Sequence, residues 1–398
     1  MIEYIFRIIK MPFDLSIKTA EKLLPYSTKN YICNSFVFDM YSKNYFRLKF
    51  LNWKIENKFH IMPSDMTVHW ISTYNCNFRC KHCEASAGDK RVSELSTDEI
   101  CNLITELSRM KIKKIVIGGG ECLLRKDIFI IIGHILKMGL EYEIESNSYL
   151  VSNFKEEFRN MKPRTYFTSI DGLENTNDEI RRPGAFRKTF EALEYFKSID
   201  VETRIVNTVV IPDNIGQLPE LREIIMKSAA TFWRFAIPIS SGRAKEDDKL
   251  YLNDGQIKYL FDFIEESRKK FAVGISEDAG YLGPLSMKLR SVPFFCGAGI
   301  TRCTILPNGE VLACQLDYDD KYSEGNIRNK SFKEIWRTGF SRFRNPQLEE
   351  GECQNCEHYN SCRGGCLGMR IGNRHCYKHI WGNNGNNGNN GNNGNNGK

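Results

Sequence analysis

Residues 66–83, MTVHWISTYNCNFRCKHC, decide the fold. MTVHWIST is rich in β-branched and aromatic side chains and reads as a strand. Cys76, Cys80 and Cys83 follow at once in the spacing C-x3-C-x2-C. In barrels, loops at the C-terminal ends of strands are where active sites gather. Three thiolates this close on one loop can hold three irons of a [4Fe–4S] cluster, leaving the fourth iron without a protein ligand. An open iron can bind a small molecule and pass it an electron. The alternative is a structural zinc site, whose usual fingerprint is paired C-x2-C knuckles rather than a lone triplet.

Outward from this stretch a rhythm appears. Ser96 with Glu99 three residues on forms a capping box that opens a helix. KKIVIGGG is a second strand, and DIFIIIGHILKMG is a helix ended by Gly139. EYEIESNS, TYFTSIDG, ETRIVNTVVI and FWRFAIPI follow as strands, separated by helical stretches such as FRKTFEALEYFKSI. Strands alternating with helices argue for parallel βα units and an α/β fold, an open or closed barrel rather than a flat sheet. We expect a cap over residues 1–65, the barrel over 66–245, a helical bridge over 246–289 and a small cysteine-rich domain over 290–380. In the last, TILPNGEVLAC carries a hairpin signal at Asn308-Gly309. The five Asn-Asn-Gly triplets within 381–398 offer nothing apolar to bury, and we expect disorder there.

The 398 residues are 41% hydrophobic and 26% charged, with a net charge of +7. That composition fits a globular protein with ample core. Basic residues occur in short scattered groups, with no long tract interleaved with aromatics, so nothing prompts a nucleic-acid partner. MIEYIFRIIKMPFDL lacks a small-residue cleavage site, and Ile128–Leu136 is far too short to cross a bilayer. A cytoplasmic address with no membrane span follows, where clustered cysteines are metal ligands rather than disulfides. There are 14 cysteines to explain.

The triplet after the first strand resembles the signature of the radical S-adenosylmethionine (radical SAM) superfamily, a partial (β/α)6 TIM-like barrel. The resemblance implies that SAM chelates the open iron held by Cys76, Cys80 and Cys83. Reductive cleavage would then give methionine and a 5′-deoxyadenosyl radical that abstracts hydrogen from substrate. It also implies cofactor-binding roles at further positions. Gly119, Gly120 and Glu121 after the second strand would meet the methionine part of SAM, although the family's usual Pro is here Cys122. Ser146 and Asn147 end the third strand near the ribose, and Ser169 ends the fourth. Arg182 stands near the SAM carboxylate and Ile237 near adenine, while His82 takes the place of the usual aromatic.

Downstream, Cys296-x6-Cys303-x10-Cys314 precedes Cys353-x2-Cys356-x5-Cys362-x3-Cys366-x9-Cys376. Eight cysteines suffice for two fully ligated [4Fe–4S] clusters, though Cys353 and Cys356 alone could be a zinc knuckle. The array looks like a SPASM domain. Its pairing, carried over, gives Cys296, Cys303, Cys314 and Cys366 to the first auxiliary cluster, and Cys353, Cys356, Cys362 and Cys376 to the second. SPASM enzymes often act on peptides or proteins, through cross-links, thioethers, epimerisation or oxidation. Others act on tetrapyrrole side chains or sugars. In sulfatase maturases an Asp base follows the third ligand of the first auxiliary cluster, and here that residue is Gln315. Asp317 and Tyr318 lie just beyond as candidate catalytic proton acceptors. The reading is therefore an oxidoreductase or maturase using SAM and three [4Fe–4S] clusters, with a reducing partner such as flavodoxin or ferredoxin. An iron–sulfur electron carrier or a zinc-stapled binding module is the non-enzymatic alternative. An electron carrier would need no Gly-Gly-Glu turn.

Overall fold

The computed structural model describes residues 62–315 except 64, 90 and 91, then 322–344, 353–366, 368–369, 376–381 and scattered positions between 45 and 58. Most of the expected N-terminal cap, the Asn-Asn-Gly tail, Asp317 and Tyr318 lie outside the described residues.

The chain begins its repeat with β1 (Thr67–Ile71), α1 (Thr97–Arg109), β2 (Lys114–Gly118), α2 (Ile128–Lys137) and β3 (Glu141–Glu145). It continues through α3 (Lys155–Asn160), β4 (Thr165–Ser169), α4 (Glu174–Ile180), α5 (Ala185–Ser198), β5 (Thr203–Val209), α6 (Leu218–Lys227) and β6 (Phe232–Ala236). The capping box at α1 is present: Glu99 N–H donates to Ser96 Oγ at 3.2 Å, and Ser96 N–H to Glu99 Oε2 at 2.7 Å. Ile100, Leu103, Ile104 and Leu107 then fall on one buried stripe, each worth roughly 1.5–3 kcal/mol of transfer free energy.

Neighbouring strands from β1 to β6 pair in parallel. Past them come α7 (Asp254–Ser267) and β7 (Val273–Ile275), which pairs in parallel with β6. The segment expected as a helical bridge thus supplies a seventh parallel strand, whose three residues carry too little pattern to show in sequence. β8 (Arg302–Ile305), β9 (Glu310–Leu312) and β10 (Gly325–Asn326) extend the opposite edge, followed by α8 (Phe332–Thr338). β8 pairs in parallel with β1, and the Asn308-Gly309 turn returns the chain antiparallel as β9. The cysteine-rich region therefore shares one ten-stranded sheet, order β10-β9-β8-β1-β2-β3-β4-β5-β6-β7, with the barrel. β7 and β10 are its edges, so the barrel stays open.

Side chains alternate between the two faces of each strand. Val68 and Trp70 on β1, Ile115 and Ile117 on β2, and Tyr142 and Ile144 on β3 belong to the main hydrophobic core. The opposite face lines the lumen and is charged. Lys114 Nζ donates to Glu143 Oε1 at 3.1 Å, and Arg234 Nε donates to Asn207 Oδ1 at 2.7 Å while its guanidinium lies over Phe167. A small soluble core has no use for such a lining, since burying charges costs free energy unless they are paired or wetted.

Candidate functional site

The cysteine loop leaves the C-terminal end of β1 and is held from four directions. Cys76 N–H donates to Gly88 O at 2.8 Å, which closes the loop on itself. From the β2 turn, Gly120 N–H donates to Thr73 O and Glu121 N–H to Asn75 O, both at 2.8 Å. A Cβ at Gly120 would sit 2.3 Å from Asn75 O, so only glycine allows this approach. The Gly-Gly-Glu turn thus clasps backbone leading to Cys76, a contact that the resemblance did not foretell.

Glu121 is fully buried and its carboxylate ties two strand ends together. It accepts from Asn147 N–H at 2.8 Å, from Ser146 Oγ at 3.0 Å and from Leu123 N–H at 3.1 Å. Burial pushes its carboxyl up, against these hydrogen bonds. Asn147 Nδ2 in turn donates to Asn77 Oδ1 at 2.7 Å and lies 3.8 Å from Cys76 Sγ. Ser146, Asn147, Gly119, Gly120 and Glu121 are thereby brought together beside the loop. Cys122 points away, buried in the core with its thiol against Glu145 O.

The third hold comes from β4 and α4. Asp171 has no exposed surface, and it accepts from Arg181 at 2.7 Å and from Val209 N–H at 2.8 Å. His82 Nε2 lies 2.8 Å from the same carboxylate. Against the burial that pushes it up, His82 and Arg181 hold the Asp171 carboxyl well below the ordinary range. The His82 ring is thus a bracket for the loop. Arg182 donates to Asn77 O at 2.8 Å and stacks over Tyr149. Ser169 ends β4 beside this network, and Ile237, just past β6, is buried in the core.

The fourth hold was not anticipated as such. Arg243 donates from Nε to Cys80 O and from Nη1 to Ala87 O, both at 2.8 Å, and its N–H donates to Cys83 O at 3.0 Å. Gly242 has φ of +54°, and a Cβ there would lie 2.2 Å from Glu84 O. Arg243 and Asp171 are distant in sequence from the cysteines, and no local signal marks them as loop anchors.

The three thiols lie within one another's electrostatic reach. Burial first, with Glu121, Cys80 and Cys83 adding to it, pushes the Cys76 thiol up to about 11. Thiols so crowded and desolvated stay protonated unless cationic iron takes them as thiolates. Arg181 lies close enough to favour a charged Cys80. Among the described residues, no three Cys, His, Asp or Glu side chains gather closely enough to share one metal ion. A cubane spreads its thiolates over separate irons. The donor set fits the cluster.

Behind the loop lies the charged lumen, a second feature missed by motif reading. Burial first, then Asp278 and Glu145, pushes Glu84 up to about 8. Burial likewise raises Asp278 to about 6, opposed by Arg234 and Arg290. Burial, then Arg302, Lys114 and Arg234, lowers His69 to about 3, and Gln315 hydrogen-bonds its ring. These groups are only half-buried by surface although packed within the barrel, so they line interior space that water reaches.

In the cysteine-rich region, burial raises the Cys362 thiol to about 12, and Cys376, Cys353 and Cys356 are its charged neighbours. Those four thiols lie within electrostatic reach of one another. Cys366 has Asp278 and Cys296 as neighbours, and Arg302 has Cys296 and Cys314. Cys303 is not brought to them. It is 1% exposed and packs in the main core.

Residues 70–225 match the radical SAM superfamily, and residues 296–357 match the SPASM iron–sulfur cluster-binding domain. This chain is a radical SAM enzyme with a SPASM domain. Its cofactors are SAM and [4Fe–4S] clusters. It is 28% identical over 329 residues to the mycofactocin maturase MftC of Mycobacterium ulcerans, covering 80% of this chain and 87% of that one. To an AdoMet-dependent heme synthase of Oleidesulfovibrio alaskensis it is 28% identical over 327 residues, covering 76% and 83%. The fold is similar to that of SuiB from Streptococcus suis bound to the precursor peptide SuiA, with a TM-score of 0.64, 16% identity, and 80% and 75% of the chains covered. Among the described residues no helix is long and apolar enough to cross a membrane.

Proposed function

We propose that this radical SAM enzyme is a maturase whose substrate is a peptide or protein entering the charged lumen beneath the Cys76–Cys83 loop. The observation that carries this reading is the juxtaposition of three crowded thiols at the barrel mouth with polar space behind them. Cys76, Cys80 and Cys83 would hold the SAM-binding cluster, and the SPASM cysteines the auxiliary ones. When bound, the cluster supplies an electron to SAM, and SAM supplies the hydrogen-abstracting 5′-deoxyadenosyl group. The chain's own task is positional. Arg243, Asp171 and the Gly-Gly-Glu turn fix the loop, while Ser146, Asn147, Ser169, Arg182 and Ile237 border the space for SAM. Within the lumen, Arg234, Lys114 and His69 can orient carboxylates or amide carbonyls, and Glu84, Glu145 and Asp278 can orient ammonium or amide N–H groups. Asp317 and Tyr318 are proposed to take the proton released on oxidation.

The maturases among its relatives support the peptide reading. We further propose a cytoplasmic enzyme that draws electrons from a flavodoxin- or ferredoxin-type partner. The heme synthase relatives support a second reading, in which the lumen cations pair with tetrapyrrole carboxylates. The test is anaerobic reconstitution with dithionite and SAM, then deuterium transfer from labelled candidates into 5′-deoxyadenosine. Transfer from a peptide is expected. Transfer from a tetrapyrrole alone would replace the first reading with the second, and absence of 5′-deoxyadenosine would end both.

A further inference from the structure

The side-chain amides of Asn77 and Asn147 meet beside Cys76. Asn147 stands just past β3, in a turn where Tyr149 N–H donates to its Oδ1 at 3.1 Å. Ser148 completes the turn in left-handed backbone at φ of +72°. Its Oγ, 2.6 Å from Tyr166 Oη and 2.5 Å from Thr168 Oγ1, anchors it there. With Oδ1 spent on the Tyr149 N–H, the Asn147 atom that faces the loop has to be nitrogen. The reverse orientation would set one donor against another. That nitrogen lies 2.7 Å from Asn77 Oδ1 and 3.8 Å from Cys76 Sγ. Asn147 N–H is tied to Glu121 at 2.8 Å, so backbone and both ends of the amide are held.

Asn77 follows Cys76 directly, and its carbonyl accepts from Arg182 at 2.8 Å. Its own Nδ2 is buried and has no hydrogen-bond partner among the described residues. A buried donor left unpaired is costly, and thiolate or sulfide at the loop is an acceptor that would remove the cost. The sulfurs are not treated alike. Cys76 Sγ also accepts from Phe78 N–H at 3.3 Å, and Cys83 Sγ accepts from Ala87 N–H at 3.4 Å. Among the described residues, Cys76 is thus the loop cysteine with both a backbone and a side-chain donor.

We propose that Asn147, aimed by Asn77, donates a hydrogen bond to the Cys76 thiolate and so raises the reduction potential of the loop cluster. The inference rests on the reading that Cys76, Cys80 and Cys83 hold that cluster. Reduction adds an electron to a centre already anionic with its thiolates, and N–H donors on sulfur favour the more negative form. Asn77 is a positioning residue: its Oδ1 fixes the Asn147 nitrogen, and its unpaired Nδ2 is available to the same sulfurs.

The test uses the full reconstituted chain. The loop cluster is followed as the component of the reduced EPR spectrum that changes when SAM is added, and its potential is titrated without SAM. Asn147→Ala should lower the equilibrium constant for its reduction about tenfold, which is about 59 mV for one electron. Asn77→Ala should lower it by a smaller factor in the same direction, with iron content unchanged in both. An unmoved potential in variants that keep their iron would overturn the proposal, whether or not SAM affinity changes. A second measurement needs no substitution. In the parent protein, with its asparagines carrying a heavy nitrogen isotope, pulsed EPR of the SAM-sensitive component should show coupling to an amide nitrogen. Absence of that coupling would also overturn the assignment. If no component of the spectrum responds to SAM, the reading of the triplet as the SAM-binding site fails, and this inference with it.

Discussion

The loop bearing Cys76, Cys80 and Cys83 and the strand bearing Cys303 use the same residue type in opposite ways. On the loop, backbone is held by partners from β2, β4 and the segment after β6, and the side chains are left to converge. On β8, the ladder to β1 fixes the backbone, and alternation alone decides where each side chain goes. A loop can gather cysteines in any direction its anchors permit, whereas a strand must send every second one away. Spacing alone therefore says less about where a cysteine points on a strand than on a loop.

Four changes sharpen or break that contrast. Cys80→Ala removes a convergent thiol and should reduce 5′-deoxyadenosine formation to background, read by chromatography of the reconstituted enzyme. Cys356→Ala, on the remote set, should leave SAM cleavage in place while product formation is lost. If it abolished cleavage as well, the two sets would not be functionally separable. Arg243→Ala keeps every cysteine but withdraws the anchor on Cys80 O and Ala87 O. With the pair of charged hydrogen bonds together contributing about 1.5–3 kcal/mol net to holding the loop, iron should leave the loop cluster to a chelator about ten- to a hundredfold faster. A rate unchanged from the parent would show that the loop does not need this hold.

The smallest effect is expected at His69, on the lumen face of β1. Its folded pKa of about 3 lies below the ordinary 6.5 because burial and then Arg302 disfavour the charged ring. Between those values the unfolded chain binds a proton that the folded chain does not, so stability is lost as pH falls through that window. His69→Gln should flatten the acid limb of the thermal stability curve of the cluster-free protein while leaving the midpoint near pH 8 little changed. A parallel acid limb in both proteins would remove His69 from the interior.

Much of this was legible in the sequence because the signals are local. The capping box at Ser96 and Glu99, the Asn308-Gly309 turn and the triplet after β1 each occupy a few adjacent residues and appear where expected. What was hidden is non-local. β7 is too short to show a period, and nothing adjacent to β8 says that it will lie beside β1. Arg243 meets Cys80 across 163 positions. The roles of Glu121 and His82 as braces follow from what surrounds them, not from their motifs. The lumen charges escaped notice because each stands alone in its strand and becomes a group only when seven strands curl together.

The pairing of β8 with β1 has a consequence for electron flow. The segment that leads to the loop cysteines and the one between Cys296 and Cys314 are neighbours in one hydrogen-bonded ladder. Tunnelling rates fall exponentially with separation, so a flexible tether between iron centres would make them fluctuate with every domain motion. Clusters held at both ends of this ladder would have that part of their separation fixed by strands about 4.8 Å apart, which would make the sheet a ruler. Lengthening the connection between β7 and β8 at a point well before Cys296 should therefore leave the rate of intramolecular electron exchange unchanged.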